Sequence, residues 1–471
     1  MAESCVWQLS DILTATGGEL VGLEGPRECA GVSTDTRRLR PQEIFVALRG
    51  QNHDGHAFVG EAVTRGAAVV VVERGAGSRL GSESANGPAA SIVEVDDTLR
   101  ALGDLAAHYR RQHGFTVAAV TGSNGKTTTK EMVAAIMDEA VGPERVLRTS
   151  GTENNLIGVP LTLLRASGRE RIAVIEFGMN APGEIWRLTE IAEPDVGVVT
   201  CVAPAHIEGL GDIAGVARAK GELYRRLRPG ATAVVNGDDT WVRKIAESFT
   251  GRKIHFGDGA EIAAEGVIEL GLGGVEFTLV VDSERWPVRL PLPGRHNVTN
   301  ALAAAAVARA CGAPLDAVVA GLERSPRLPM RMEIVNLPGQ VTVINDSYNA
   351  NPASMKSALA MLGTMGEGAK IAVLGEMREL GEASAALHRE VGRAAAAEGV
   401  NLLIAVGSGA DEVRAGAVER GMEPDQALVA GSHREAATHV LERVRPGDFV
   451  LIKGSRGARM ERVLEHLQGG A

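Results

Sequence analysis

The sequence predicts an α/β protein of three domains, and three observations carry that prediction. At 471 residues the chain exceeds one ordinary domain. Hydrophobic residues reach 45%, enough for several cores. Short apolar runs recur between glycine turns and helical stretches, the pattern of parallel sheets covered on both faces.

The first block, residues 1–112, holds two strand-like runs, "EIFVAL" (43–48) and "AAVVVVE" (67–73), joined by a helix over 56–66. The glycine-rich stretch 74–90 reads as a surface loop, and a helix over 98–111 leads out of the block. The second block, 113–328, opens with "FTVAAV", a glycine loop and the helix "KTTTKEMVAAIMDEA". The runs "RIAVIEF" (171–177) and "VGVVTCV" (196–202) supply further buried strands, and the helix "NVTNALAAAAVARA" (297–310) closes the fold. In the third block, 329–471, six segments from "QVTVIND" to "DFVLIKGSRG" alternate as strand and helix, a second doubly wound unit.

Composition excludes some functions. The net charge of −10 and an aromatic share of 3% argue against a nucleic-acid binder, which needs a basic face or stacking rings. Cys5, Cys29, Cys201 and Cys311 lack CxxC spacing and read as reduced and structural. No apolar run reaches the roughly 20 residues that span a bilayer, and "MAESCVWQLSD" lacks the pattern of a signal peptide. The expected compartment is the cytoplasm.

The stretch "TGSNGKTTTKEM" has the strand–loop–helix setting of a phosphate site. Only Ser123 and Asn124 separate Gly122 from Gly125, whereas the common loop puts four residues there, and Val120 stands where its first glycine would fall. Backbone N–H groups from Ser123 to Lys126 and the helix start can cradle an anion, Lys126 adds a charge, and the Thr127 hydroxyl can ligate Mg²⁺.

Glu176 closes one strand and His206 follows another, the edge where open sheets bind ligands. Taken singly each reads as a cap or a loop residue; together they suit a cation beside phosphates. In "DIAGVARAKGELYRRL" Lys220 falls within an apolar helical stripe formed by Ile213, Val216, Ala217, Leu223, Tyr224 and Leu227. A lysine so placed either snorkels to water or presents an inward amine that burial keeps neutral and able to take up CO₂ as a carbamate. Arg331 and the strand-end Asp346 read as a surface arginine and a helix cap, or as γ-phosphate and ribose contacts.

These segments resemble the Mur ligase family, ATP-dependent amide-bond-forming enzymes of peptidoglycan synthesis. "TGSNGKTTTKEM", "IEFGMNAPGEI", "AHIEGLG", "ARAKGELY", "GRHNVTNALAAAA" and "NDSYNANPASM" lie in the family's order over nearly the whole chain. The resemblance implies a uridine-nucleotide domain at 1–112, an ATPase domain with a shortened phosphate loop at 113–328, and a Rossmann-like domain for the incoming dipeptide at 329–471. It implies Lys126, His206, Lys220 and Arg331 as catalytic groups. Mg²⁺ would be held by Thr127, Glu176, His206 and a carbamylated Lys220. ATP would meet Gly122, Ser123, Asn124, Gly125, Lys126, Thr127, Thr128, Asn297, Asn300, Arg331 and Asp346.

Ser33, Asp35, Arg37, Asp54 and His56 match the uridine site, and Thr152, Asn154 and Asn155 the muramoyl-peptide segment. Tyr348, Asn349 and Asn351 belong to the motif "DSYNANP", which points to D-alanyl-D-alanine as the group added to a UDP-muramoyl tripeptide; no "DNPR"-like motif is present. Thr152 and Glu153 depart from the usual pattern. The expected enzyme is a monomer without membrane or nucleic-acid partners. The folylpolyglutamate synthases resemble the second and third blocks only. A kinase would share the loop but needs an acceptor site not seen here, and a binding module would not need an inward Lys220.

Overall fold

The computed structural model describes residues 6–21, 25–50, 53–76, 90–204 and 207–469. Among them, three large sheets come from three consecutive stretches of chain. The first has five strands in the order Glu19–Val21, Ser91–Val95, Val69–Glu73, Ile44–Val46, Val32–Ser33, all parallel except the first. The helix Thr98–Gln112, capped by the Asp97 carboxylate on the Arg100 N–H, carries the chain to the next sheet. Its Tyr109 stacks on Trp7, with ring centroids 5.6 Å apart, and donates its hydroxyl to the Ala166 carbonyl, so one apolar core spans both stretches.

The second sheet has nine strands. Its parallel part runs Val146–Arg148, Ile172–Glu176, Thr116–Thr121, Val196–Val199, Thr232–Asn236, Arg252–Phe256. Valine, isoleucine and alanine fill these central strands because both faces are buried. Ile262–Glu269, Val275–Val281 and Glu284–Leu290 then extend the sheet as an antiparallel meander. The third sheet has six strands, in the order Glu333–Leu337, Val341–Asp346, Phe449–Lys453, Lys370–Gly375, Leu402–Val406, Ala427–Ala430. Only its first strand is antiparallel. Apolar cores on both of its faces complete a doubly wound layer.

Several sequence expectations change in detail. The helix expected over 56–66 begins as a 3₁₀ turn, Gly55–Phe58, and becomes α-helical at Val59–Thr64. The strand expected over 196–202 ends at Val199, where the chain turns to meet the phosphate loop. The single helix expected through Lys220 is two, Ile213–Lys220 and Glu222–Arg226, which meet at Gly221. A Cβ at Gly221 would stand 3.0 Å from the Ala217 carbonyl and 3.1 Å from Ile245, so the close approach selects glycine. Of the loop expected over 74–90, residues 77–89 lie outside the described residues. Among the described residues, no helix is long and apolar enough to cross a membrane.

The third stretch sits closed on the second. Asn124 and Asn351 exchange amide hydrogen bonds of 3.3 and 2.7 Å, the Arg331 guanidinium donates to the Thr127 hydroxyl at 2.9 Å, and the Glu208 N–H donates to the Glu379 carbonyl at 3.1 Å.

Candidate active site

Between these two sheets lies a cavity of about 560 Å³, reached by the carboxyl ends of strands from both. The glycine loop forms one wall. Gly125 adopts φ +80°, and a Cβ there would stand 2.2 Å from Asn300 Oδ1; at Gly122 it would stand 1.9 Å from the Thr200 hydroxyl. Only glycine lets the backbone pass at both points. Ser123 is tied down from behind: its N–H donates to the Cys201 carbonyl at 2.9 Å, and its hydroxyl bonds both the N–H and the carbonyl of Ala203. Lys126 opens the helix Lys126–Val141. Its ammonium folds back onto the Gly122 carbonyl at 2.9 Å and the Ser123 carbonyl at 3.4 Å. Burial lowers its pKa, Glu176 opposes that shift and Arg331 adds to it. An anion on the loop would supply the negative charge this lysine lacks.

Glu176, 1% exposed, ends its strand beside the loop. Its Oε1 accepts from the Asn154 amide at 2.7 Å, while Oε2 is buried without a hydrogen-bond partner. An orphaned carboxylate oxygen is costly, about 1–3 kcal/mol or more. A cation or a hydrogen-bond donor there would satisfy it. Lys220 also faces the cavity and is only 2% exposed, so its stem does not snorkel to bulk water. Burial, then the charge of Lys126, brings its pKa down to about 7. The amine is thus available in its neutral form near physiological pH. Among the described residues no cluster of three or more His, Cys, Asp or Glu side chains forms a ready-made metal site. Thr127, Glu176 and Lys220 all line the cavity, while His206 lies outside the described residues.

The far end of the cavity joins both sheets. Asn297 donates to the Pro293 carbonyl at 2.7 Å and accepts from Asn300 at 3.0 Å, which fixes both amides at the start of the helix His296–Ala310. His296 lies beside them, its pKa lowered by burial. Across the gap, Arg331 stacks 4.0 Å from the Tyr348 ring centroid while holding Thr127. Asp346 accepts from the Met332 N–H at 3.2 Å and pairs with Lys453 at 2.5 Å; Lys453 also donates to the Asn349 carbonyl at 3.0 Å. Thr128, Thr152, Asn154, Asn155, Asn349 and Asn351 complete the walls. The Asn155 side-chain oxygen caps the helix Gly158–Leu163, and that of Asn351 caps Pro352–Gly363.

The residues matched to a uridine site lie apart from this cavity, in the first stretch: Ser33 in a strand, Asp35 and Arg37 in the turn after it, and Asp54 and His56 at the 3₁₀ turn Gly55–Phe58. Ser33 folds a turn against Asp35, and Asp35 pairs with Arg37 at 2.7 Å, which lowers the Asp35 pKa to about 2. His56 meets Asp54 at 2.6 Å through Nδ1 and accepts the Glu73 N–H at 3.0 Å through Nε2, so the neutral ring with hydrogen on Nδ1 satisfies both bonds. Sequence reasoning missed Lys453, His296 and Cys201 in the cavity. Lys453 had a usable signal, since it ends a buried strand as Glu176 and Asp346 do.

A phosphate-type loop on one sheet, facing a strand-end aspartate of another and the arginine just before that sheet's first strand, defines a two-sheet nucleotide-binding enzyme. Three family descriptions match successive stretches: "Mur ligase family, catalytic domain" over 28–110, "Mur ligase middle domain" over 120–308, and "Mur ligase, glutamate ligase domain" over 330–456. The UDP-N-acetylmuramoyl-tripeptide–D-alanyl-D-alanine ligase of Escherichia coli (strain K12) is 38% identical, across 98% of this chain and 97% of its own. The crystal structure of MurF from Acinetobacter baumannii superposes with a TM-score of 0.88 at 32% identity, covering 99% of each chain. That of MurF ligase from Thermotoga maritima in complex with ADP gives 0.82 at 28% identity, covering 93% of this chain and 97% of that one. The chain belongs to the Mur ligase family.

Proposed function

We propose that the protein is an ATP-dependent ligase that joins D-alanyl-D-alanine to the terminal carboxylate of UDP-N-acetylmuramoyl tripeptide, in peptidoglycan precursor synthesis. The observation that carries this reading is the single cavity shared by the glycine loop and by Arg331 and Asp346. Full-length similarity to relatives of that name supports the choice of substrates.

In this reading residues 1–112 hold the uridine nucleotide, through Ser33, Asp35, Arg37, Asp54 and His56. Residues 113–328 bind ATP, and residues 329–471 bring in the dipeptide. The loop from Gly122 to Thr128 holds the phosphates, Asn297 and Asn300 lie by the adenine, and Asp346 meets the ribose. Thr152, Asn154 and Asn155 hold the muramoyl peptide, and Tyr348, Asn349 and Asn351 face the dipeptide. The tripeptide carboxylate attacks the γ-phosphorus and ADP leaves, which gives an acyl phosphate. The dipeptide amine then adds to the acyl carbon, the C–O bond to phosphate breaks, and the amine sheds its proton. Lys126 and Arg331 hold the phosphoryl oxygens in line and balance charge that grows during transfer.

The donor set fits Mg²⁺: Glu176 has a bare buried oxygen, Thr127 a hydroxyl, and the neutral Lys220 amine can become a carboxylate-like ligand by carbamylation, with His206 the expected fourth. Bound there, the cation would neutralise phosphate charge. Such an enzyme works in the cytoplasm as a monomer, without membrane or nucleic-acid partners.

Phosphate release from ATP decides the matter. It should require UDP-muramoyl tripeptide and D-alanyl-D-alanine together; release that ignores the dipeptide would sink the assignment.

A further inference from the structure

Lys130 lies one turn beyond Lys126 on the loop helix and is 0% exposed. A lysine charge is rarely kept in a core unless partners hold it there for a purpose. Its ammonium pairs with the adjacent Glu131 and donates to the Thr149 carbonyl at 2.9 Å. A pair between neighbours in sequence joins nothing to anything else. The Thr149 bond reaches another element.

Thr149 opens the segment that contains Thr152, Asn154 and Asn155. Its hydroxyl accepts the Glu176 N–H at 3.0 Å, the Asn154 amide donates to the Glu176 carboxylate at 2.7 Å, and the Gly178 N–H donates to the Asn154 carbonyl at 2.8 Å. The segment is therefore sewn to the strand end of Glu176 on one side and to the phosphate-loop helix, through Lys130, on the other. Packing alone does not require a cation there, because Met132, Val133, Ile136 and Met137 already fill the buried face of that helix.

We propose that Lys130 is a positioning residue, which sets the segment 149–155 against the phosphate loop so that the acceptor carboxylate meets the γ-phosphate. The inference rests on the ligase reading above, and wild-type dipeptide-dependent phosphate release tests that reading separately.

Steady-state kinetics of Lys130→Met, Lys130→Gln and Glu131→Gln test the role itself. Loss of a hydrogen bond from a charged donor should raise KM for UDP-muramoyl tripeptide about tenfold in Lys130→Met, with KM for ATP and for D-alanyl-D-alanine unchanged. Lys130→Gln keeps a donor and should recover part of the loss. Glu131→Gln keeps the carbonyl bond and should leave the tripeptide KM at the wild-type value. The proposal is overturned if Lys130→Met leaves that KM unchanged, or if Glu131→Gln reproduces its effect. Should Lys130→Met fail to fold, Lys130→Gln against Glu131→Gln makes the same comparison: a raised tripeptide KM in the first alone supports the role, and equal values overturn it.

Discussion

Lys220 shows how one side chain can be out of place for stability and in place for chemistry. Burial and the charge of Lys126 bring its pKa from 10.5 down to about 7. Between those two values the unfolded chain binds a proton that the folded chain does not. Stability therefore rises with pH across that window, and the full destabilisation is present below about pH 7. Lys220→Met removes this titration. In degassed, nucleotide-free buffer the variant should melt above wild type at pH 7, and the gap should close toward pH 10.5. A gap that does not change with pH would mean that the amine titrates normally. Under the carbamate reading, Lys220→Ala abolishes turnover and short carboxylic acids restore part of it. The helix wheel alone favours snorkelling, and the buried amine overturns it, because a wheel locates a stripe but not what lies opposite it. Glu176 and Asp346 were legible because strand ends in open sheets face ligands. Lys130 was not, since a lysine beside a glutamate in the second turn of a helix looks solvated until its neighbours are known.

At the scale of elements, the parallel strands were legible from their unbroken apolar runs, whereas the meander from Ile262 to Leu290 was not. Val275–Val281 alternates buried and half-buried positions, the pattern of a strand covered more fully on one face. The break at Gly221 was hidden because the apolar spacing continues across it. The helix Pro352–Gly363 shows how a cap can serve two ends. The Asn351 oxygen accepts the Ser354 N–H at 2.9 Å, and its amide group also clasps Asn124 on the phosphate loop. The two roles separate by mutation. Asn351→Ala loses cap and clasp, and the cap alone is worth about 1 kcal/mol; Asn124→Ala loses only the clasp. Both should speed trypsin cleavage at Arg327, in the connection between the two sheets, when no nucleotide is present. Only Asn351→Ala should also lower the denaturation midpoint by an amount matching a lost cap. Cleavage rates equal to wild type in both variants would show that the clasp does not hold the third stretch closed.

For the whole molecule, the informative fact is that the two clusters proposed to meet nucleotides do not share a cavity. Arg331 stands in the wall between the second and third sheets, whereas Arg37 sits exposed in a turn of the first stretch, paired with Asp35. Three blocks in this order were legible from the sequence, but the closed placement of the third was not, because it depends on contacts between residues some two hundred positions apart, such as Asn124 with Asn351. A ligand that binds only the folded state stabilises it by RT ln(1 + [L]/Kd), about 2.7 kcal/mol at a hundred times Kd. If the clusters work as proposed, the two gains are separable. Arg331→Ala should lose most of the thermal stabilisation given by a non-hydrolysable ATP analogue with Mg²⁺, and keep that given by the UDP-muramoyl tripeptide. Arg37→Ala should do the reverse. Loss of both gains in either variant would mean that the first sheet and the cavity respond as one site, and the division of labour among the three blocks would have to be redrawn.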